Sequence, residues 1–174
     1  MNKERFYKRQ ALWFFIIYGI ISFSYFYWFG NYVTFFQEKQ KLFIISGGYL
    51  KDYLLKPGGI LELIGDFITC AYINPLPGAL IITLTLILPG AVILLINNKL
   101  HFKTSVHSLL VIIPLCLLLF MQTHYYHLVK YNIGFLAVFF YFLMAINSFE
   151  KRSHLIVLSL FPVFYYLTGG YVWI

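Results

Sequence analysis

Charge is what this sequence has least of. Only 11% of its 174 residues are Asp, Glu, Lys or Arg, and the acids number six. A soluble domain carries about 25% charged residues, so this chain cannot build a water-facing surface. Disorder is excluded as well, because it needs low hydropathy and high charge. Cysteine is scarce too. Cys116 lies inside an apolar run and Cys70 in a loop region; no spacing argues a disulfide or a metal site, and no cofactor is expected. Phosphate loops are missing, since Gly47-Gly48, Gly58-Gly59 and Gly169-Gly170 do not join a strand to a helix. The net charge of +7 does not come with a basic stripe interleaved with stacking aromatics, so a nucleic-acid partner is excluded.

Apolar residues dominate, at 61% of the chain with a mean hydropathy of +0.79. They fall in five runs without a single charge: 11–29, 77–96, 106–123, 131–148 and 155–173. Each is near the length needed to cross about 30 Å of hydrocarbon. The first follows a basic N-terminal stretch and ends in Tyr25, Phe26, Tyr27, Trp28 and Phe29. It lacks a small-residue cleavage site, so it reads as a signal anchor with an aromatic belt, not a signal peptide. The second run holds eleven Leu or Ile, and Pro89-Gly90 should kink it. The fold class that follows is all-α: a polytopic membrane bundle of about five transmembrane helices, forming a single membrane domain over 1–174. Its partner is the lipid bilayer.

Lys and Arg set the orientation. With the N-terminus inside, inner segments hold Lys3, Arg5, Lys8, Arg9, Lys99, Lys103, Lys151 and Arg152. The short outer connection between the third and fourth runs holds Lys130 alone. The N-terminus is therefore expected in the cytoplasm.

Residues 30–76 form a long outer segment that is amphipathic. Leu42, Phe43, Ile45, Tyr49, Leu50, Tyr53 and Leu54 recur at roughly helical spacing, and Pro57-Gly58-Gly59 ends the pattern. A second pattern follows, with Ile60, Leu61, Ile64, Phe67, Ile68 and Tyr72 on one face and Glu62 and Asp66 on the other. Two interfacial helices between the first and second spans fit this. The alternative, a re-entrant hairpin or sixth span through Ile60, would place acids at mid-bilayer, at about 2.5–3.5 kcal/mol each.

Candidate site residues cluster on the outer side. His124 and His127 stand three apart just past the third run; on a helix they share a face and suit a lipid phosphate. The other reading is an interfacial polar cluster beside belt tyrosines. Lys51, Lys56 and Lys130 are the cations available to a lipid-linked phosphate. Glu38, Asp52, Glu62 and Asp66 read either as solvated partners of neighbouring lysines or as a catalytic carboxylate at the membrane surface. No Asp, Glu, Lys or Arg lies within any run, which argues against ion-coupled transport, and His107 near the inner end of the third run reads as an interfacial anchor.

Taken together, Glu38-Lys39-Gln40-Lys41-Leu42-Phe43, Gly48-Tyr49-Leu50, Pro57-Gly58-Gly59, Asp66-Phe67, Pro77-Gly78-Ala79-Leu80 and Tyr166-Leu167-Thr168-Gly169-Gly170 resemble the N-terminal region of an uncharacterised family of polytopic bacterial inner-membrane proteins. The resemblance covers most of the chain. It implies a multi-pass protein of the bacterial inner (cytoplasmic) membrane and either a fragment or a shortened member of a longer type. It implies no activity. A more distant, architectural resemblance is to polytopic glycosyltransferases that use lipid-linked sugars. There an acid of the first outer loop acts as base, and Glu38 is nearest by position. Three functions are thus in view, in this order: a non-enzymatic membrane component, the membrane part of a transferase with a lipid-linked substrate, and a transporter fragment.

Overall fold

The computed structural model describes residues 3–40, 43, 46–100, 104–150 and 154–170. Among them are eight α-helices and no strand: α1 (Lys3–Ser24), α2 (Asn31–Gln40), α3 (Gly47–Leu54), α4 (Gly59–Thr69), α5 (Pro75–Lys99), α6 (Thr104–Gln122), α7 (Val129–Glu150) and α8 (His154–Thr168). The all-helical expectation holds, and the charge-free runs are helical where they are described, except at Thr123, which turns. Local sequence sets the ends. The Ser46 hydroxyl accepts from Tyr49 N–H at 3.2 Å and caps α3. Pro75, with no N–H to leave orphaned, opens α5. Gly169, at φ +66°, closes α8 in the left-handed conformation that suits glycine.

The α5 helix is the central post. It packs against α1, α6 and α7, while α8 lies on α7. At 25 residues it is about 37 Å long and runs on through Pro89. Ala79, Ile82, Leu86 and Leu115 are fully buried along this post. Gly90 marks its closest approach, for a Cβ there would meet Leu115 and Phe15 side chains at 2.6–2.9 Å. Tyr18 ties α1 to α6 by donating to the Leu115 carbonyl at 2.8 Å.

Three stretches are long and apolar enough to cross a membrane: Gln10–Phe29, Pro75–Lys99 and Val129–Ser148. Leu109–Gln122 and Val157–Thr168 are shorter apolar stretches. Polarity at the surface is inverted relative to a water-soluble bundle. Ile17, Ile20, Ile21, Leu84, Leu117 and Leu158 are more than half exposed, whereas Ser22, Gln37, Asn97, Gln122 and Asn132 are buried.

Two features depart from the reading of 30–76. The chain does not enter a loop at Gly30. Its hydrogen bonds widen across Tyr25–Phe29, with Gly30 N–H reaching the Tyr25 carbonyl at 2.8 Å, and a helix resumes at Asn31. Val33, Thr34 and Gln37 form the buried side of that helix. The faces of α4 also do not divide as expected, since Leu61 of the apolar set is buried. Ile64 and Phe67 point outward, at 43% and 62% exposure, and Asp66 is buried at 7%. The cause is packing: α4 lies against α7 and α8, and Gly65 lets α4 approach Lys130 so closely that a Cβ would sit 2.8 Å from the lysine Cβ.

Candidate functional site

The start of α5, the ends of α6 and α8 and the start of α7 gather at one end of the bundle with α2, α3 and α4. Cross-links fix this end. Tyr32 donates to the Thr123 carbonyl at 2.7 Å. Gly58 N–H donates to the Tyr166 carbonyl at 2.8 Å, and the Tyr166 hydroxyl donates to the Leu54 carbonyl. Gly58 and Gly169 meet backbone to backbone, both at positive φ, where a Cβ on either would come within about 3 Å of the other's Cα. Gly58 and Gly169, one from each of two glycine pairs, thus form the joint between α8 and the α3–α4 hairpin.

A polar basin lies under this joint. Tyr49 donates to the Tyr53 hydroxyl at 3.2 Å, and Tyr53 donates to Asp66 Oδ2 at 2.7 Å. Burial pushes the Tyr53 phenol well above its usual range, and its hydrogen bonds to Tyr49 and Asp66 push the same way, so it remains a donor. One turn earlier on α4, Glu62 holds two ammonium groups, Lys56 at 2.5 Å and Lys130 at 3.0 Å. Burial raises the Glu62 pKa, but the hydrogen bonds and charges of Lys56 and Lys130 outweigh it and hold the carboxyl near about 2.

Beside the basin runs a ring of amides. Asn132 Nδ2 donates to Gln122 Oε1 at 2.8 Å, which makes Asn132 Oδ1 the acceptor facing His127 Nε2 at 2.9 Å. His127 therefore carries its proton on Nε2. The His127 carbonyl accepts from Gln122 at 3.2 Å and from Gln37 at 2.8 Å. Burial lowers the His127 pKa, and the Asn132 hydrogen bond opposes this in part. Gln37, Gly65, Asp66, Thr69, Leu128, Val129 and Lys130 line a cavity of about 20 Å³ between α2, α4 and α7.

The sequence candidates fare unequally. Lys56 and Lys130 come together on Glu62. Lys51 stands exposed on α3, apart from that pair. The shared histidine face does not form: α6 ends at Gln122, residues 123–128 turn instead of continuing the helix, and His124 faces out while His127 is buried. Glu38 lies on α2 next to Gln37, with its side chain outside the described ones. Glu62 and Asp66 do not form a solvated face. Gln37, Tyr53, Gln122 and Asn132 were not candidates at all, although amides at the borders of apolar runs are a signal that could have found them. Among the described residues no three His, Cys, Asp or Glu side chains gather as a metal site requires.

Comparison with curated proteins and with solved structures finds no match. A family model does match, over residues 5–174 and hence nearly the whole chain, and its description is a family of unknown function, DUF6057. The chain belongs to that family.

Proposed function

We propose that this chain is a multi-pass protein of the bacterial inner membrane whose polar basin faces outward and serves recognition, making the protein a binding component of the membrane. The inverted polarity carries the reading. A bundle in water would expose its amides and bury its isoleucines; exposed apolar patches of this extent mark contact with lipid or protein. Buried amides in a hydrocarbon setting must find partners inside the bundle, and Gln122, Asn132 and His127 do so.

Orientation follows from charge and connectivity together. Five spans with a cytoplasmic N-terminus place eight basic residues inside. The same arrangement brings the ends that meet at the basin to the outer face. Lys56 and Lys130 are both engaged by Glu62, which suits holding a ligand better than breaking bonds.

The test has two parts. Alkaline carbonate washing of membranes should leave the chain in the pellet; release into the wash overturns membrane integration. In intact cells, Lys51→Cys should react with an impermeant maleimide and Lys99→Cys should not. The opposite pattern overturns the orientation.

A further inference from the structure

Gln37 is 2% exposed, and its orientation is set by chemistry. Its amide nitrogen donates to the His127 carbonyl, an acceptor only, so the amide oxygen points away from that bond. That oxygen, Oε1, has no hydrogen-bond partner, and Gln37 lines the 20 Å³ cavity. An unmet buried carbonyl is costly. The other polar walls are of the same kind. Thr69 spends its proton on the Asp66 main-chain carbonyl at 2.8 Å, which leaves its hydroxyl oxygen as an acceptor. Asp66 contributes a carboxylate, which already accepts from Tyr53 at Oδ2 and can accept more than one hydrogen bond. Lys130 also lines the cavity, but its ammonium is turned to Glu62 at 3.0 Å.

A cavity walled by acceptors takes a donor. A water-sized group needs about 10–15 Å³, so there is room for one such group and little more. Three acceptors, one of them a carboxylate, match the three N–H bonds of a primary ammonium, and charge assistance strengthens each contact. A quaternary ammonium has no N–H and carries four methyl groups, so it neither fits nor donates. We propose that this cavity binds a primary ammonium group, the chemistry shared by an aminophospholipid headgroup and a small soluble amine. The lipid source rests on the membrane reading above; the soluble one does not.

The full chain is melted in phosphatidylcholine nanodiscs with methylammonium chloride or tetramethylammonium chloride, and separately in phosphatidylethanolamine nanodiscs. Methylammonium should raise the melting temperature, and tetramethylammonium should not. Thr69→Val, which keeps the shape, and Gln37→Leu should each weaken apparent methylammonium affinity about tenfold or more, the effect of losing one hydrogen bond to a charged group. A stabilising effect of phosphatidylethanolamine over phosphatidylcholine, lost in Thr69→Val, assigns the lipid source; a response to methylammonium alone assigns a soluble amine. If neither primary amine stabilises the wild-type chain beyond its methylated counterpart, the ammonium site is overturned and the cavity is a water site. Should carbonate release the chain, the membrane reading falls, and the methylammonium series on the solubilised chain still decides the cavity.

Discussion

In the α1–α5–α6 half of the molecule, the same residue types stand on both sides of one helix. Ile82 and Leu86 are fully buried, while Leu84 and Leu88, two positions on, are 56% and 43% exposed. In the basin half, inward polar residues pair by chemistry, Tyr53 with Asp66, Lys130 with Glu62 and Asn132 with Gln122, while Gln37 Oε1 stays unmet. Shape holds the first half and hydrogen bonds hold the second. Where the surroundings are apolar, burying a leucine gains only contact, whereas orphaning an amide costs its full desolvation. The two halves should therefore respond differently to the same kinds of substitution.

The largest effect should come from placing one methyl group in each half. In Gly59→Ala the new Cβ would lie 1.8 Å from the Tyr53 carbonyl oxygen, so the hairpin turn must open and Tyr53 leaves Asp66. A loss of about 4 kcal/mol is expected. In Gly90→Ala the methyl meets the flexible ends of Leu115 and Phe15, and about 1–2 kcal/mol is expected. Reversible denaturation of the detergent-solubilised chain measures both, and equal losses would erase the distinction between the halves.

Next comes deletion of a partner. Asn132→Leu leaves Gln122 Oε1 and His127 Nε2–H unmet and should cost about 2–3 kcal/mol. Leu84→Ala removes most of a side chain, but from an exposed face, and should stay within about 0.5 kcal/mol. A melting series in one detergent compares them directly.

Acid should find the basin before the apolar half. The folded-state pKa of His127 lies below its ordinary value of about 6.5, so the unfolded chain binds the proton more readily. Stability from this residue is whole above pH 6.5 and falls as pH drops below it. Melting temperatures between pH 8 and 5 should decline in the wild type, and less in His127→Gln.

A small effect belongs to the partly solvated ion pairs. Glu62→Gln should cost about 1 kcal/mol or less at neutral pH. Its signature is the pH window: the folded pKa is about 2 against an ordinary 4.5, so the contribution is present above pH 4.5 and lost toward pH 2. An acid melt of Glu62→Gln should be flatter in that window than the wild type.

The same contrast explains what could be read in the sequence. The long helices were legible because a charge-free run has one meaning, and the break between α3 and α4 because Pro57-Gly58-Gly59 ends any helix. The inward face of α4 was not. A single apolar stripe on the membrane surface was expected, but α4 packs against α7 and α8, so Leu61 and Asp66 both turn in while Ile64 and Phe67 turn outward. The α2 helix was missed because Val33, Thr34 and Gln37 mix apolar and polar residues on its buried side. The His124–His127 spacing misled because it presumed a helix that Gln122 ends. The amide ring was invisible because its members, at 122, 127 and 132, follow the period of no helix or strand.

The glycine joint has a consequence for biogenesis. Leu54 and Tyr166, which clasp beside it, are 112 residues apart. At about 5–20 residues per second of synthesis, the α3–α4 hairpin exists for roughly 6–22 s before its partner leaves the ribosome. Through that interval Gly58 has no Gly169 to rest on, and the hairpin's carboxylates depend on Lys56 and on whichever later helix has arrived. Closure of the basin is thus a late event, timed by the arrival of α8.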